Sequence, residues 1–199
     1  MKSRKLTYGV GFNDSNYQIN QYIKVNGKYK IVWRCPFYMA WTNMLRRCYS
    51  ETYQKTHPTY KGCQVCEEWL TFSNFKAWME MQSWKNKELD KDLLSQNNKI
   101  YSPEYCIFVD ARVNTFTTDS AKIRGEYLIG VCWDKNANKF KSTCRNPFTN
   151  KQEHLGLFDN ELDAHLMWKN KKHEHALKLA NTCDDKKLAQ ALRQRYSPN

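Results

Sequence analysis

The chain has 199 residues, and its 32 Lys and Arg outnumber its 20 Asp and Glu, which gives a formal charge of +12 at pH 7. Hydrophobic residues make up 41% of the sequence and aromatic residues 14%, so a compositionally disordered chain is excluded and a packed core is expected. No apolar run approaches the roughly 18 residues of a membrane span, and the N-terminus lacks the apolar segment of a secretory signal. We therefore expect a cytoplasmic protein without a membrane partner.

The excess positive charge is present in both halves of the sequence, so neither half is merely a charged tail. Lys and Arg attract nucleic acid because their binding releases the counterions condensed on the phosphate backbone. A basic amphipathic helix or a lipidation signal, either of which would favour a membrane surface, is not recognisable. A polyanion, and double-stranded DNA in particular, is the partner that this composition favours.

The first part of the chain predicts a β-hairpin followed by two helices. In the segment 7–34, β-forming residues flank the pair Asn26-Gly27, which is typical of a two-residue hairpin turn. From Pro36 onward the apolar residues recur at helical spacing, and a loop through His57 then leads to a second helix from about Thr71 to Gln82. The predicted inward residues of these two helices are Trp41, Met44, Leu45, Cys48, Tyr49, Phe72, Phe75, Trp78 and Met79, with Arg46 and Arg47 opposite.

Short strands are predicted in the middle and C-terminal parts of the chain. Two apolar strands near Glu88–Leu94 and Cys106–Val109 flank a polar loop and precede a helix that contains Asn114. Three further strands are predicted at Ile129–Asp134, Lys139–Arg145 and Glu153–Leu157. A long helix follows, from a cap at Asn160 to about Ala180, with the inward residues Ala164, Met167, Trp168, Ala176 and Leu179.

The middle one of these three strands has one cationic face. Lys139, Lys141 and Arg145 share one parity, so a strand would place them on the same face about 6–7 Å apart, while Phe140 and Cys144 would face the helix. Such a row of donors suits phosphates and the base edges of a major groove, which is wide enough to admit a β-ribbon. A solvated sheet face is the alternative interpretation of the same pattern.

The string IGVCWDKNANKFKSTCRNPFTNKQEHLGLFDNELDAHLMW resembles a DNA-binding domain of the Apetala-two/ethylene-response-factor type. The resemblance implies three antiparallel strands that pack on one helix and lay their exposed face in the major groove. It implies a core that includes Phe140, Leu155, Phe158, Ala164 and Trp168. It implies a DNA-facing set made of Trp133, Lys135, Lys139, Lys141, Arg145, Gln152 and His154.

Oxygen-bearing side chains flank the polar loop in the middle of the chain. The run Leu89-Asp90-Lys91-Asp92 offers carboxylates at a strand end, and Asn114 lies 24 residues after Asp90 on the predicted helix. Side chains of these types can share Mg²⁺, although in loops they more often form turns and caps. The segments WTNMLRRCY, GCQVCEEWLTFSNFKAW, LDKDLL and YSPEYCIFVDARVN resemble HNH-type homing-endonuclease relatives of phages.

This second resemblance covers about residues 8–118 and implies a ββα-metal module in which Asp90 and Asn114 hold the metal ion, with Mg²⁺ as the cofactor. Lys91 stands at the place of the catalytic His that acts as general base in active members. A protonated lysine binds phosphate but cannot accept a proton from water, so we expect slow cleavage or none unless His57 or Asp92 replaces the base.

The cysteines offer a competing metal hypothesis. Cys63 and Cys66 have the spacing of half a zinc knuckle, and Cys48 and Cys106 could complete four ligands. There is no second C-x2-C pair, and Cys48 falls on an apolar helix face, so buried thiols are the favoured interpretation over Zn.

Together these patterns predict an α+β protein in four parts: an HNH-endonuclease-like domain (1–118), a linker (119–125), a DNA-binding domain (126–183) and a C-terminal tail (184–199) with a short helix. The predicted function is sequence-specific DNA binding in a phage-infected host cell, with Mg²⁺-dependent endonuclease or nickase activity. The alternatives are a DNA-binding regulator without catalysis and a host-takeover or inhibitor protein that binds a protein partner through its aromatic N-terminal surface.

Overall fold

The computed structural model describes residues 5–118 and 125–197 and shows an α+β protein. All of the predicted linker 119–125 except Gly125 lies outside the described residues. The chain divides into two compact units, Met1–Phe108 and Val109–Asn199. Among the described residues, no helix combines the length and the apolar character needed to cross a bilayer.

The helices of the described residues are α1 (Pro36–Tyr49), α2 (Glu51–Thr56), α3 (Phe72–Glu80), α4 (Ala111–Thr117), α5 (Glu161–Asn181) and α6 (Lys186–Arg195). Two short 3₁₀ helices lie at Pro58–Tyr60 and Glu67–Leu70. The strands are β1 (Asn20–Val25), β2 (Lys28–Arg34), β3 (Gln64–Val65), β4 (Glu88–Asp90), β5 (Ile100–Tyr101), β6 (Ile107–Val109), β7 (Val131–Asp134), β8 (Lys139–Arg145) and β9 (Gln152–Phe158).

The first unit begins with the predicted hairpin. Strands β1 and β2 are antiparallel and turn at Asn26 and Gly27, which have φ values of 49° and 78°. Positive φ at both central residues is the type I′ turn that matches the twist of a two-stranded ribbon. The hairpin prediction is therefore confirmed.

The core of the first unit is built from the predicted apolar faces of α1 and α3. Its largest fully buried side chains include Trp41, Trp69, Phe72 and Phe75, and the Trp41 indole donates a 2.7 Å hydrogen bond to the carbonyl of Trp69. The loop predicted around His57 is in fact the short helix α2 and a 3₁₀ turn, because Ser50 caps α2 by accepting from the amide of Tyr53. The side chains that form this core are Cys35, Trp41, Met44, Leu45, Cys48, Cys63, Val65, Trp69, Phe72, Phe75, Met79, Tyr101, Cys106 and Phe108.

The second unit contains a three-stranded antiparallel sheet, in the order β7-β8-β9, packed against α5. Strand β7 is shorter than predicted because Gly130 turns the chain at a φ of 84°, where the amide of Val131 bonds the carbonyl of Leu128. A Cβ at Gly130 would lie 2.1 Å from the Trp168 ring. The close approach of Gly130 to Trp168 therefore fixes the sheet against the helix.

Helix α5 has nearly the predicted bounds, but the burial of two of its residues differs from the prediction. Ala164, Trp168, Ala176 and Leu179 are buried as expected, whereas Met167 is 40% exposed. His175 is buried instead, with its Nε2 3.0 Å from the Glu153 carboxylate on β9. The prediction that Met167 faces inward was wrong, and the buried face of α5 includes a polar residue, His175, that the periodicity did not indicate.

Helix α4 packs within the second unit, whereas the sequence-based division places it with the first. The Lys172 ammonium on α5 donates a 2.6 Å hydrogen bond to the carbonyl of Phe116 and lies 3.8 Å from the centre of its ring. The Phe116 and Tyr196 rings are 5.4 Å apart, and Arg195 donates to the carbonyl of Thr117. The segment predicted as a tail therefore carries helix α6 and helps to hold α4.

Candidate nucleic-acid interface

The solvent-facing side of the β7-β8-β9 sheet, which we call the outer face, carries most of the predicted DNA-facing residues. Paired residues in antiparallel strands share a face, so the register of the sheet determines the membership of each side. Lys141 pairs with Cys132, Thr143 with His154, and Arg145 with Gln152. The outer face accordingly contains Cys132, Asp134, Lys139, Lys141, Thr143, Arg145, Gln152, His154 and Leu157.

The other face of the same sheet packs against helix α5. Ser142 and Cys144, which alternate with the cations along β8, are fully buried. Phe140 has the same parity and contacts the aromatic rings of Tyr127 and Trp133. The alternation predicted for β8, with cations outward and smaller or apolar groups toward the helix, is confirmed.

Trp133 is the one member of the predicted DNA-facing set that the register places on the opposite side. It pairs with Phe140, and the two rings meet edge to face at 4.9 Å between centroids. The sequence already indicated this placement, because residues of one parity in a strand share a face and Trp133 has the opposite parity to Cys132 and Asp134. Trp133 is therefore a packing residue of the helix-facing side, and its assignment to the DNA-facing set is corrected.

Lys135 lies in the exposed turn between β7 and β8 rather than in a strand. Asp134 shapes this turn, because its Oδ1 accepts hydrogen bonds from the amides of Asn136 and Ala137, both at 3.1 Å. Asn138 completes the turn with a φ of 53°. Lys135 consequently belongs to the exposed turn at one end of the sheet.

Two carboxylates partly balance the outer-face cations. Lys139 Nζ lies 3.0 Å from Asp159 Oδ1, and Lys141 Nζ lies 3.9 Å from Asp134 Oδ2. Both pairs are open to solvent, where such ion pairs contribute about 0–1 kcal/mol. An anion such as phosphate can therefore replace either carboxylate at little cost. The Arg145 Nε donates a 3.3 Å hydrogen bond to the carbonyl of Asn150.

The predicted catalytic residues lie at the end of β4 and on α4. Asp90 Oδ1 accepts hydrogen bonds from the amides of Asp92 at 2.9 Å and Leu93 at 2.7 Å, which fixes the turn after the strand. Asn114 is a partly buried residue of α4, a helix capped by the Asp110 carboxylate. Asp90 belongs to the first unit and Asn114 to the second.

Lys91 occupies the interior rather than a phosphate-facing surface. Its side chain is only 5% exposed, and its ammonium donates to the Asp92 carboxylate and, at 2.7 Å, to the carbonyl of Asn98. The Asn98 amide returns a 3.0 Å hydrogen bond to the carbonyl of Lys91. The expectation that Lys91 contacts phosphate does not fit this placement, because the ammonium closes the loop between β4 and β5.

The two alternative bases, His57 and Asp92, both make contacts within the first unit. His57 stacks on Tyr53 with 4.1 Å between ring centroids, and its Nδ1 lies 2.8 Å from the Thr56 hydroxyl. The Asp92 carboxylate is bound to the Lys91 ammonium. Both side chains therefore have structural partners of their own.

The cysteines of the first unit are present as thiols in an apolar setting. Burial raises the pKa of the Cys48 thiol to about 12 and also raises the pKa of Cys63 and Cys66. Zinc binds the thiolate, which a raised pKa disfavours. Within residues 5–118 and 125–197, no three His, Cys, Asp or Glu side chains form a group that could hold a metal ion.

Comparison with known proteins gives no relative for this chain: no family model, curated protein or solved structure matches it.

Proposed function

We propose that the chain binds double-stranded DNA sequence-specifically through the outer face of the C-terminal sheet. The observation that supports this proposal is the co-facial set of Lys139, Lys141, Arg145, Gln152 and His154 on a sheet whose other side is covered by a helix. The sheet is rigidly backed, so its outward side chains present donors at fixed spacing. A formal charge of +12 supplies the long-range attraction to a phosphate backbone.

The types of side chain on the outer face suit a division of labour between bases and backbone. Arginine can bond bidentately to guanine, and glutamine to adenine, at the major-groove edge. Lysines at the same face act as point charges toward phosphates, which fix the register without reading the sequence. Arg145 and Gln152 pair across β8 and β9, so they can read neighbouring bases while Lys139 and Lys141 hold the backbone.

Selection from a random duplex library, followed by fluorescence anisotropy on the enriched site, tests this proposal. We expect an enriched sequence that the full chain binds more tightly than a scrambled duplex of the same length. The matched control is Lys186→Ala on helix α6, which removes one exposed cation away from the sheet. No enrichment, together with equal effects of Lys141→Ala and Lys186→Ala, would contradict the proposal.

Metal-dependent DNA cleavage is the second candidate activity, favoured by the order of elements along the chain. Strands β4 and β6 pair with each other and are followed directly by α4, which is the strand, strand, helix order implied by the HNH resemblance. The HNH resemblance implies Asp90 and Asn114 as the ligands of Mg²⁺, and each side chain carries an oxygen of the kind that this ion takes. A bound Mg²⁺ would polarise a phosphate and an attacking water.

Incubation of supercoiled plasmid with the protein and Mg²⁺ or Mn²⁺ tests this second activity. Nicks that disappear with EDTA and with Asp90→Ala would support it, and Glu67→Ala, which removes an exposed carboxylate of the first unit, is the matched control. Binding without nicks under all metal conditions would favour the regulator alternative.

A further inference from the structure

The hairpin β1-β2 presents a surface of the first unit that takes no part in its buried core. None of the residues in either strand is buried. The hairpin is anchored at its base, where the amide of Cys35 bonds the carbonyl of Ile19 at 2.9 Å and the Tyr17 hydroxyl lies 3.4 Å from Cys35 Sγ. A six-residue strand spans about 20 Å, so the ribbon extends well beyond this anchor.

The exposed hairpin carries cations without local carboxylates. Between Asp14 and Glu51 the sequence contains no other Asp or Glu. The ribbon in this segment carries Lys24, Lys28, Lys30 and Arg34. Across the described ranges, none of these four side chains makes an ion pair. These cations therefore stand in contrast to Lys139 of the C-terminal sheet, which has a carboxylate partner.

Apolar and aromatic side chains stand between these cations on both faces of the ribbon. Tyr22 pairs with Ile31 and Lys24 with Tyr29 on one face, and the other face has Ile23 with Lys30 and Val25 with Lys28. Tyr29 is 76% exposed. Contiguous exposed apolar groups on a soluble domain mark a binding surface more often than chance would.

We propose that the β1-β2 hairpin is a second DNA-binding element, which lies in the major groove and contacts the phosphates that border it. This inference rests on the proposed DNA-binding function and adds a surface to it. The hairpin carries cations and no carboxylates, so its charge is complementary to a polyanion rather than to a protein surface that mixes acidic and basic residues. A two-stranded ribbon fits the width of the major groove, and its apolar side chains can contact sugars and thymine methyl groups.

Salt-dependent binding of the full chain to a random-sequence duplex provides the test. The variant Lys24→Ala/Lys28→Ala/Lys30→Ala should lower the magnitude of the log–log salt slope by about 2–3, since each lost phosphate contact removes about 0.9. The control variant Lys55→Ala/Lys61→Ala/Lys85→Ala removes the same charge from exposed positions off the hairpin and should lower the slope by less than about one. Tyr29→Ala should weaken binding with an unchanged slope.

The outcomes separate this inference from the proposed function. Equal slopes for the two triple variants, with weaker binding by Lys141→Ala, would overturn the hairpin inference and leave the proposed function standing. No binding of wild-type protein to duplex at low salt would overturn both. The inference would also be overturned if the hairpin triple variant lost more affinity for single-stranded DNA than for duplex DNA. It would likewise be overturned if the protein formed a dimer that Tyr29→Ala dissociates without a change in DNA affinity. Circular dichroism of each variant confirms that the fold is retained.

Discussion

Trp133 lies directly opposite Phe140 on the neighbouring strand, with the two ring planes at 75° and the centroids 4.9 Å apart. Edge-to-face aromatic pairs of this kind add about 0.5–1.5 kcal/mol beyond the area that they bury. The pair fixes the register of β7 against β8, and this register places Cys132 and Lys141 together on the outer face. The chemistry presented to a ligand is thus decided by a packing contact on the other side of the sheet.

Arg145 and Lys141 should differ in the kind of binding energy that they contribute. We expect Arg145→Ala to cost about 1–3 kcal/mol on the selected site and to relax the preference at one base pair, because a bidentate contact to guanine is lost. Lys141→Ala should weaken all duplexes alike. Anisotropy titrations on the selected site and its single-base variants measure both effects, and equal losses on every sequence for both variants would contradict a base-reading role for Arg145.

Cys132 reports on occupancy of the outer face because it is exposed there, opposite Lys141. We expect N-ethylmaleimide to modify Cys132 rapidly in free protein and slowly in the DNA complex. Cys48 should stay unmodified in both states, since it is buried and burial raises the pKa of its thiol to about 12. Mass spectrometry of tryptic peptides measures the two rates. Modification of Cys132 at the same rate with and without DNA would place the interface elsewhere.

We expect the main role of Lys91 to be in the stability of the fold. Lys91→Ala removes the ammonium that bonds Asp92 and the carbonyl of Asn98, and we expect a loss of about 1–3 kcal/mol in the free energy of unfolding. Lys85→Ala, at an exposed position, should change it by less than about 0.5 kcal/mol. Urea-induced unfolding followed by circular dichroism gives both values. Equal stability of the two variants would show that the buried ammonium does not hold the loop.

Gly130 should tolerate no side chain. Gly130→Ala places a methyl group against the Trp168 ring at a positive φ, so we expect a destabilisation of at least about 2 kcal/mol. Gly125→Ala is the matched control, because a Cβ there meets no atom within 4 Å. Thermal unfolding of the two variants separates these cases, and a wild-type midpoint for Gly130→Ala would contradict the tight contact between β7 and α5.

The sequence by itself determined the elements whose signals are local. The Asn26-Gly27 pair defines a hairpin turn because few other residue pairs adopt two positive φ values. The alternation along Lys139–Arg145 separates the two faces of β8, since successive side chains in a strand point to opposite sides. Helical periodicity likewise located α1, α3 and α5 with ends that differ by a few residues from the structure.

Only the tertiary structure decided which side chains are buried and which face of each strand or helix packs against another element. Lys91 follows a strand end, where a charged residue is expected at the surface. Its ammonium is nevertheless buried, because it bonds the carbonyl of Asn98 and the carboxylate of Asp92. The face of Trp133 follows from its pairing with Phe140, and the burial of His175 accompanies its contact with Glu153 on the sheet. Periodicity specifies that a residue shares a face with its neighbours, but long-range pairing specifies which surface that face meets.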